Sequence, residues 1–387
     1  MIKKVILFVL ICVIAAQAQQ SDWPTATPKS VGIDERLLAA FDAEIASGKY
    51  GNMDGLTIIR HGKLVFDKRY PHDYDKIYAD DVKKPSPLNA HDPSGPYNYY
   101  SSWWHPWYQR GDMHTLQSVS KTITSIVFGV ARARGDFPDI DTPVLKYFDE
   151  SKVANVDDRK RRMTIRHLLT MSAGLDWNEG LPYSDPKNTG SQMEAAPDWV
   201  EYTINRPMAF EPGKTYAYNS GATQILAHVF RVATGMDIED YAVRNLFTPL
   251  GIKQHFWKRS PSGLVDAEGG IYLRPCDVAK LWYLFLQGGK WEGKQIVTPE
   301  WIKDSLTPHM EIGPNAKYGL KWWLYPYGPD NKYVAWAGSG FGGQRPIVLP
   351  EYDMVVVYMA WNVNPGPGLR TKDSIDRLVG MITDGKK

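Results

Sequence analysis

"GLTIIRHGKLVFDKRY" occupies residues 55–70. Two runs rich in β-branched and apolar residues flank His61 and Gly62, and a short polar pair in that setting predicts a tight hairpin turn. The same texture returns only from residue 318. There "YGLKWWLYP" (318–326), "KYVAWAGSG" (332–340), "RPIVLP" (345–350) and "MVVVYMAW" (354–361) follow one another, with Pro350-Glu351-Tyr352-Asp353 as the turn between the last two. Between the two strand-rich ends the chain reads mostly helical. "MTIRHLLTMSAGL" (163–175), "ATQILAHVFRVATG" (222–235) and "CDVAKLWYLFLQGG" (276–289) carry apolar residues at helical spacing, and each stops near a glycine. Residues 34–47 form a further amphipathic segment, with Leu37, Leu38, Phe41 and Ile45 on one face. Ile375, Leu378, Val379 and Ile382 mark another at the close of the chain. Strands at both ends with helices between predict an α+β fold: one antiparallel sheet built from both chain ends and flanked by helices. The α/β part covers about 30–140 and 310–387, and the inserted helical part about 141–309, all within one domain over 19–387.

The chain has 387 residues, 43% of them hydrophobic, enough for a large packed core. A formal charge of +2 provides no electrostatic footprint for nucleic acid or an anionic membrane surface. Fourteen Trp and 22 Tyr suit a core, and also a groove for small organic molecules. Residues 1–18 read as a signal peptide: Lys3 and Lys4, a short apolar run over 5–16, then Ala16-Gln17-Ala18 as the cleavage site. The expected destination is the periplasm or the medium. Cleavage there leaves Cys276 as the one thiol, so no internal disulfide is available and the fold must rest on its core.

Residues 71–112 break the pattern. They are rich in Pro, Asp, Gly and aromatics and end in "YNYYSSWWHPWYQRGD" (97–112). Such a stretch is either a surface excursion capped by its own rings or a wall of a substrate cleft.

"QSVSKTITSIVFGV" (117–130) carries the first chemical signal. Val119, Ile123, Ile126, Val127 and Val130 predict a buried helix that Gly135 ends. Ser118 and Lys121 stand at its start, three residues apart and on one face. Free N–H groups there can hold an oxyanion. The positive helix end and burial should depress the lysine below its usual value of about 10.4, making it a neutral acceptor for the serine proton. Spacing alone is weak: Ser184 and Lys187 repeat it, but Pro186 lies inside that copy and no apolar helical face follows. Tyr218, just before a helical stretch in "YAYNSGATQIL" (216–226), could relay protons beside a cationic lysine. The glycines of "WAGSGFGGQ" (336–344) would let a substrate approach the backbone closely.

In this order the elements resemble the serine β-lactamase and penicillin-binding superfamily. They are most similar to its class C-like branch of esterases, D-amino-acid peptidases and 6-aminohexanoate-dimer hydrolases. The resemblance covers most of the mature chain. It rests also on "GKLVFDKRY", "TIRHLLTMSAGLDW", "YNSGATQILAHVFRVATG", "GGIYLRPCDVAKLW", "GGKWEGKQIVTPEW", "YGLKWW" and "GFGGQRPIVLPEYDMVVV". It implies a β-lactamase/transpeptidase-like fold, with Ser118 as nucleophile, Lys121 as its partner and Tyr218 as the catalytic tyrosine. The oxyanion hole would combine the N–H groups of Ser118 and Ser339. Two motif positions depart from the family. Ser220 stands where Asn is usual, with Asn219 one place early. The third motif lacks its Lys or His: Trp336-Ala337-Gly338 would fill it, or a shifted alignment would place Ser339 and Gly340 there. In lactamases that cation helps hold the substrate carboxylate. Its absence disfavours penicillin-like substrates unless Arg345 compensates. Trp177 is expected beside the cleft, with Ser220, Trp336, Gly338 and Gly340 as further substrate contacts.

Other chemistries lack their patterns. No Gly-x-Ser-x-Gly segment is present, the nine His form no His-Glu-x-x-His spacing, and nothing calls for a metal or an organic cofactor. His167 reads as a hydrogen-bonded structural residue, and the role of His114 is open. The expectation is an exported serine hydrolase that cleaves a small, weakly charged ester or amide through an acyl-serine, held partly by rings from residues 97–108. The alternative is a non-catalytic binder of cell-wall peptide or a small ligand with the same fold.

Overall fold

The hairpin forms where the sequence places it. Strands β1 (Met53–Arg60) and β2 (Lys63–Arg69) pair antiparallel, with His61 at φ 51° and Gly62 at φ 67°. Two successive positive φ angles are what a two-residue hairpin turn needs to match strand twist. This computed structural model describes residues 23–84 and 98–385. The predicted signal segment and residues 85–97 of the aromatic stretch lie outside them.

The C-terminal runs supply β3 (Met310–Gly313), β4 (Ala316–Tyr318), β5 (Trp323–Tyr327), β6 (Tyr333–Ala337), β7 (Arg345–Leu349) and β8 (Met354–Ala360). They join the hairpin in one eight-stranded sheet ordered β2-β1-β8-β7-β6-β5-β4-β3. The seam between the two chain ends is the β1–β8 pair, with Thr57 opposite Val357 and Ile59 opposite Val355. Every residue of β1 and β8 is buried, because both faces of the sheet are covered.

Strand alternation sends the two sets of side chains to different cores. Leu56, Ile58, Val356 and Tyr358 meet Phe41 and Ile45 of helix α1 (Glu35–Ala46), and Ile375 and Leu378 of the closing helix (Thr371–Gly380). Leu37 does not join them: it is 46% exposed, because α1 turns only a narrow stripe to the sheet. Ile382 also departs from expectation. It lies beyond the end of the closing helix and bridges Ile33 in extended backbone.

The other face, through Ile59, Val355, Val357 and Met359, packs on the helical region. Three helices on that face position the site: α2 (Val119–Arg134), which precedes the insert, and α3 (Ser220–Thr234) and α4 (Pro275–Leu286) within it. Helix α2 is buried on all sides from Val119 to Ala131. Gly129 lets it close on Trp301, where an added Cβ would lie 2.4 Å from the ring. Gly135, at φ 75°, ends it. No helix of the described residues is long and apolar enough to cross a membrane.

The described part of the aromatic stretch is pinned to β1. Asp54, fully buried, accepts from Tyr74 Oη (2.6 Å) and meets His114 Nε2 (3.1 Å) and His72 Nδ1 (3.3 Å). Tyr74 stacks on Tyr78 with ring centroids 5.7 Å apart. His114 thus serves as an anchor of the stretch on the sheet.

Candidate active site

Ser118 is the residue before the first turn of α2, and its side chain does not cap the helix. The preceding residue, Gln117, has φ 47°, an uncommon conformation for a residue with a side chain. That turn presents Ser118 to an open cleft of about 640 Å³, lined also by Trp177, Tyr218, Trp323, Ser339 and Phe341. Lys121 Nζ donates to Ser118 Oγ at 2.8 Å. The same nitrogen lies 5.2 Å from the centre of the Tyr218 ring. Tyr218 is placed by the start of α3, whose cap is Asn219: its side chain accepts from Ala222 N at 2.8 Å. Ser118 and Lys121, read from one motif, and Tyr218, read from another, therefore converge.

The charge state expected for Lys121 is overturned. Its other two contacts are both to Glu268, the carbonyl oxygen at 2.8 Å and Oε2 at 2.8 Å. Burial opposes the charge, but the Glu268 carboxylate outweighs it and holds Lys121 well above the usual lysine range. Three acceptors around one nitrogen satisfy all three ammonium hydrogens. Lys121 is thus an ammonium at rest, not a neutral amine. Glu268 is held below the usual carboxylate range: its burial works against ionisation and Lys121 overcomes it. Tyr218 is pushed up by burial, with the Lys121 charge pulling it back.

Glu268 was not foreseen. It sits in a polar loop just before Gly269 and Gly270, 147 residues from Lys121 in sequence, and nothing in "DAEGG" marks it. Glu179 was missed too. Its carboxylate accepts from Trp177 Nε1 (2.8 Å), Tyr183 Oη (2.9 Å), Ser220 N (2.8 Å) and Ser220 Oγ (2.6 Å). Four donors fill the acceptor sites of a carboxylate. Ser220, in the place usual for Asn, therefore bonds Glu179 rather than Lys121, and stands behind the cleft wall. Trp177 lines the cleft as expected.

The third motif divides. Ser339 and Gly340 line the cleft, which favours the shifted alignment. Neither the Ser118 N–H nor the Ser339 N–H finds an acceptor among the described residues, and both belong to the cleft wall. Gly340 has no room for a side chain, since a Cβ would lie 2.5 Å from Leu116 O. Gly338 lies behind the wall, where a Cβ would meet Trp282 at 2.9 Å and Val119 at 3.1 Å. Trp336 does not reach the cleft. It packs with the core on the helical side of the sheet. Arg345 is the clearest miss. Its guanidinium bonds Leu369 O, near the closing helix, and lies by Tyr325 and Tyr358 on the far face of the sheet. It cannot replace the missing cation.

The rings of the aromatic stretch are also placed differently. None of residues 98–112 lines the cleft. Tyr99 supports it from behind, packing on Phe341 with centroids 6.1 Å apart. Ser184 and Lys187 lie in an exposed turn and form no site. His167 accepts from Thr164 N at 3.1 Å within a helix-capping box, a structural role as expected. No group of His, Cys, Asp and Glu among the described residues could hold a metal. Burial pushes the Cys276 thiol up to about 12, which keeps it unreactive.

The chain belongs to the Beta-lactamase family, whose profile matches residues 52–380. It is 24% identical over 281 residues to the 6-aminohexanoate-dimer hydrolase of Paenarthrobacter ureafaciens, covering 67% of this chain and 68% of that protein. It is 28% identical over 155 residues to the monacolin J acid methylbutanoyltransferase of Aspergillus terreus, and spans only 37% of that relative's length. Among solved structures, EstCE1, a hydrolase with promiscuous acyltransferase activity, has a TM-score of 0.62 at 16% identity, covering 86% of this chain and 95% of its own. A family VIII carboxylesterase also gives 0.62 at 16% identity, covering 89% and 96%. The fold is therefore the β-lactamase/transpeptidase-like α+β fold, and hydrolases among the relatives support a serine-hydrolase type of function.

Proposed function

We propose that this chain is an exported serine hydrolase that cleaves a small ester or amide through an acyl-serine. The observation that carries the reading is the 2.8 Å contact between Ser118 Oγ and Lys121 Nζ at a helix N-terminus in an open cleft, with the Tyr218 ring beside it. Ser118 Oγ attacks the carbonyl carbon, and its proton passes to the pair formed by Lys121 and Tyr218 once that pair has lost one proton to solvent. The oxyanion rests on the Ser118 and Ser339 N–H groups. Tyr218 then delivers the proton to the leaving oxygen or nitrogen, and later takes one from the water that releases the acyl group.

The cleft favours neutral or weakly charged substrates. Seven of the fifteen residues that line it are aromatic, and Glu179 adds a carboxylate to the wall. Lys121 is already paired with Glu268, and Arg345 is on the other face, so neither offers a substrate carboxylate a partner. Replacing Ser118 by Ala should abolish turnover of a 4-nitrophenyl ester while leaving the circular dichroism spectrum and melting temperature unchanged. Turnover retained by that variant would reject the assignment.

A further inference from the structure

We propose that Glu268 sets the pH range of this enzyme, keeping the Lys121 and Tyr218 pair one proton short of its reactive state so that turnover rises on the alkaline side. The inference rests on the acyl-serine reading above and adds a positioning residue to it. Glu268 touches no substrate; it acts through Lys121.

For Ser118 to attack, its hydroxyl proton must go to Lys121 or Tyr218 as the bond from Oγ to the acyl carbon forms. One of these two groups must therefore first have lost a proton to solvent. Later, as the bond to the leaving group breaks, the proton received from Ser118 goes to the leaving atom. Which of the two groups gives up the first proton does not matter, because closely coupled groups titrate as a unit. What matters is the charge they see. Glu268 Oε2 lies 2.8 Å from Lys121 Nζ, with the two side chains 5% and 1% exposed. Removing a proton from the pair either strips this carboxylate of its counter-charge or sets a phenolate near it in a dry site, and both are costly.

The neighbours do not compensate. Lys258 pairs with Asp266 at 3.0 Å. Glu194, bonded by Tyr99 Oη at 2.7 Å, is driven by burial well above the carboxylate range and adds no charge of its own. Lys321, between β4 and β5, touches Met171 Sδ at 3.2 Å, and burial, with the Lys121 charge adding to it, drives it well below the lysine range. Glu179, on the Tyr218 side, has only neutral donors. Of these neighbours, the carboxylates of Glu268 and Glu179 act on Lys121 and favour its charged form, so both resist the loss of one more proton.

The test measures kcat/KM for 4-nitrophenyl acetate, corrected for buffer hydrolysis, across pH from about 6 to about 10.5. Glu268→Gln keeps an acceptor for Nζ and removes the charge, so its ascending limb should move acidward by about 1 to 3 pH units. Glu268→Asp keeps the charge and should stay near the wild-type limb. A Gln variant whose limb stays in place overturns the proposal, as does one that loses turnover at every pH while still folded, since Glu268 would then carry the proton itself. Should Glu268→Gln fail to fold, the wild type still decides. Its rate of Ser118 modification by a fluorophosphonate should keep rising beyond about pH 8; a plateau by neutral pH overturns the inference. Turnover that survives in Ser118→Ala would bring down the acyl-serine reading as well, whereas the other failures leave that reading standing.

Discussion

Ser118 and Lys121 meet because a helix puts residues three apart on one face, and this is why a sequence could name them. Tyr218 was legible for a similar reason, as the residue just ahead of a well-marked helix start. If it relays the proton, Tyr218→Phe should lower kcat by about 100- to 10,000-fold with little change in fold, measured as steady-state ester hydrolysis. A loss below tenfold would give the relay to another group. Glu268 and Glu179 were not legible, since their loops carry no periodicity and only the tertiary fold brings them in. Arg345 failed for a different reason. A strand turns successive side chains to opposite faces, so a shift of one residue in register decides whether a guanidinium enters the cleft or the far core. The same ambiguity separates Trp336, which packs behind, from Ser339, which lines the cleft.

Helix α2 carries the proposed nucleophile, and its position depends on contact with Trp301 across Gly129. A Cβ at 2.4 Å from an indole has no room, so Gly129→Ala should destabilise the protein by about 1–3 kcal/mol in urea unfolding. No change would mean that α2 moves freely. The aromatic stretch depends on Asp54. Burial works against its ionisation, but His114, His72 and Tyr74 hold it below the usual carboxylate range. Its contribution is therefore present above the unfolded value of about 3.9 and lost as pH falls through its lower folded value. His72 is raised by its bond to Asp54. Its contribution is full below the unfolded value of about 6.5 and lost as pH rises through the higher folded one. Proteolytic nicking within residues 71–112 should be least between these limits and increase toward either side. Nicking that ignores pH would remove Asp54 as the anchor. The sequence showed the stretch as an irregular insert rich in rings. It could not show which carboxylate the rings would gather around, because Asp54 lies on a strand that otherwise reads as core.

The whole molecule is a sheet closed by its two chain ends, and that topology was readable because strand texture appears only at those ends. The antiparallel order and the inserted helical region followed from it. The cleft lies where the insert meets the sheet, so its charge comes from both parts: Lys121 from α2, Glu179 and Glu268 from loops of the insert. With no Lys, Arg or His among the described residues that line the cleft, the proposed hydrolase should cleave neutral short-chain esters much faster than nitrocefin. The reverse ranking in parallel kcat/KM measurements would contradict the charge argument. The central claim is that Ser118 is an activated nucleophile. Treating the folded protein with a fluorophosphonate probe and mapping the adduct by peptide mass tests it most directly. One adduct is expected, on Ser118, absent from the Ser118→Ala protein. An unmodified Ser118, or an adduct on another residue, would contradict it.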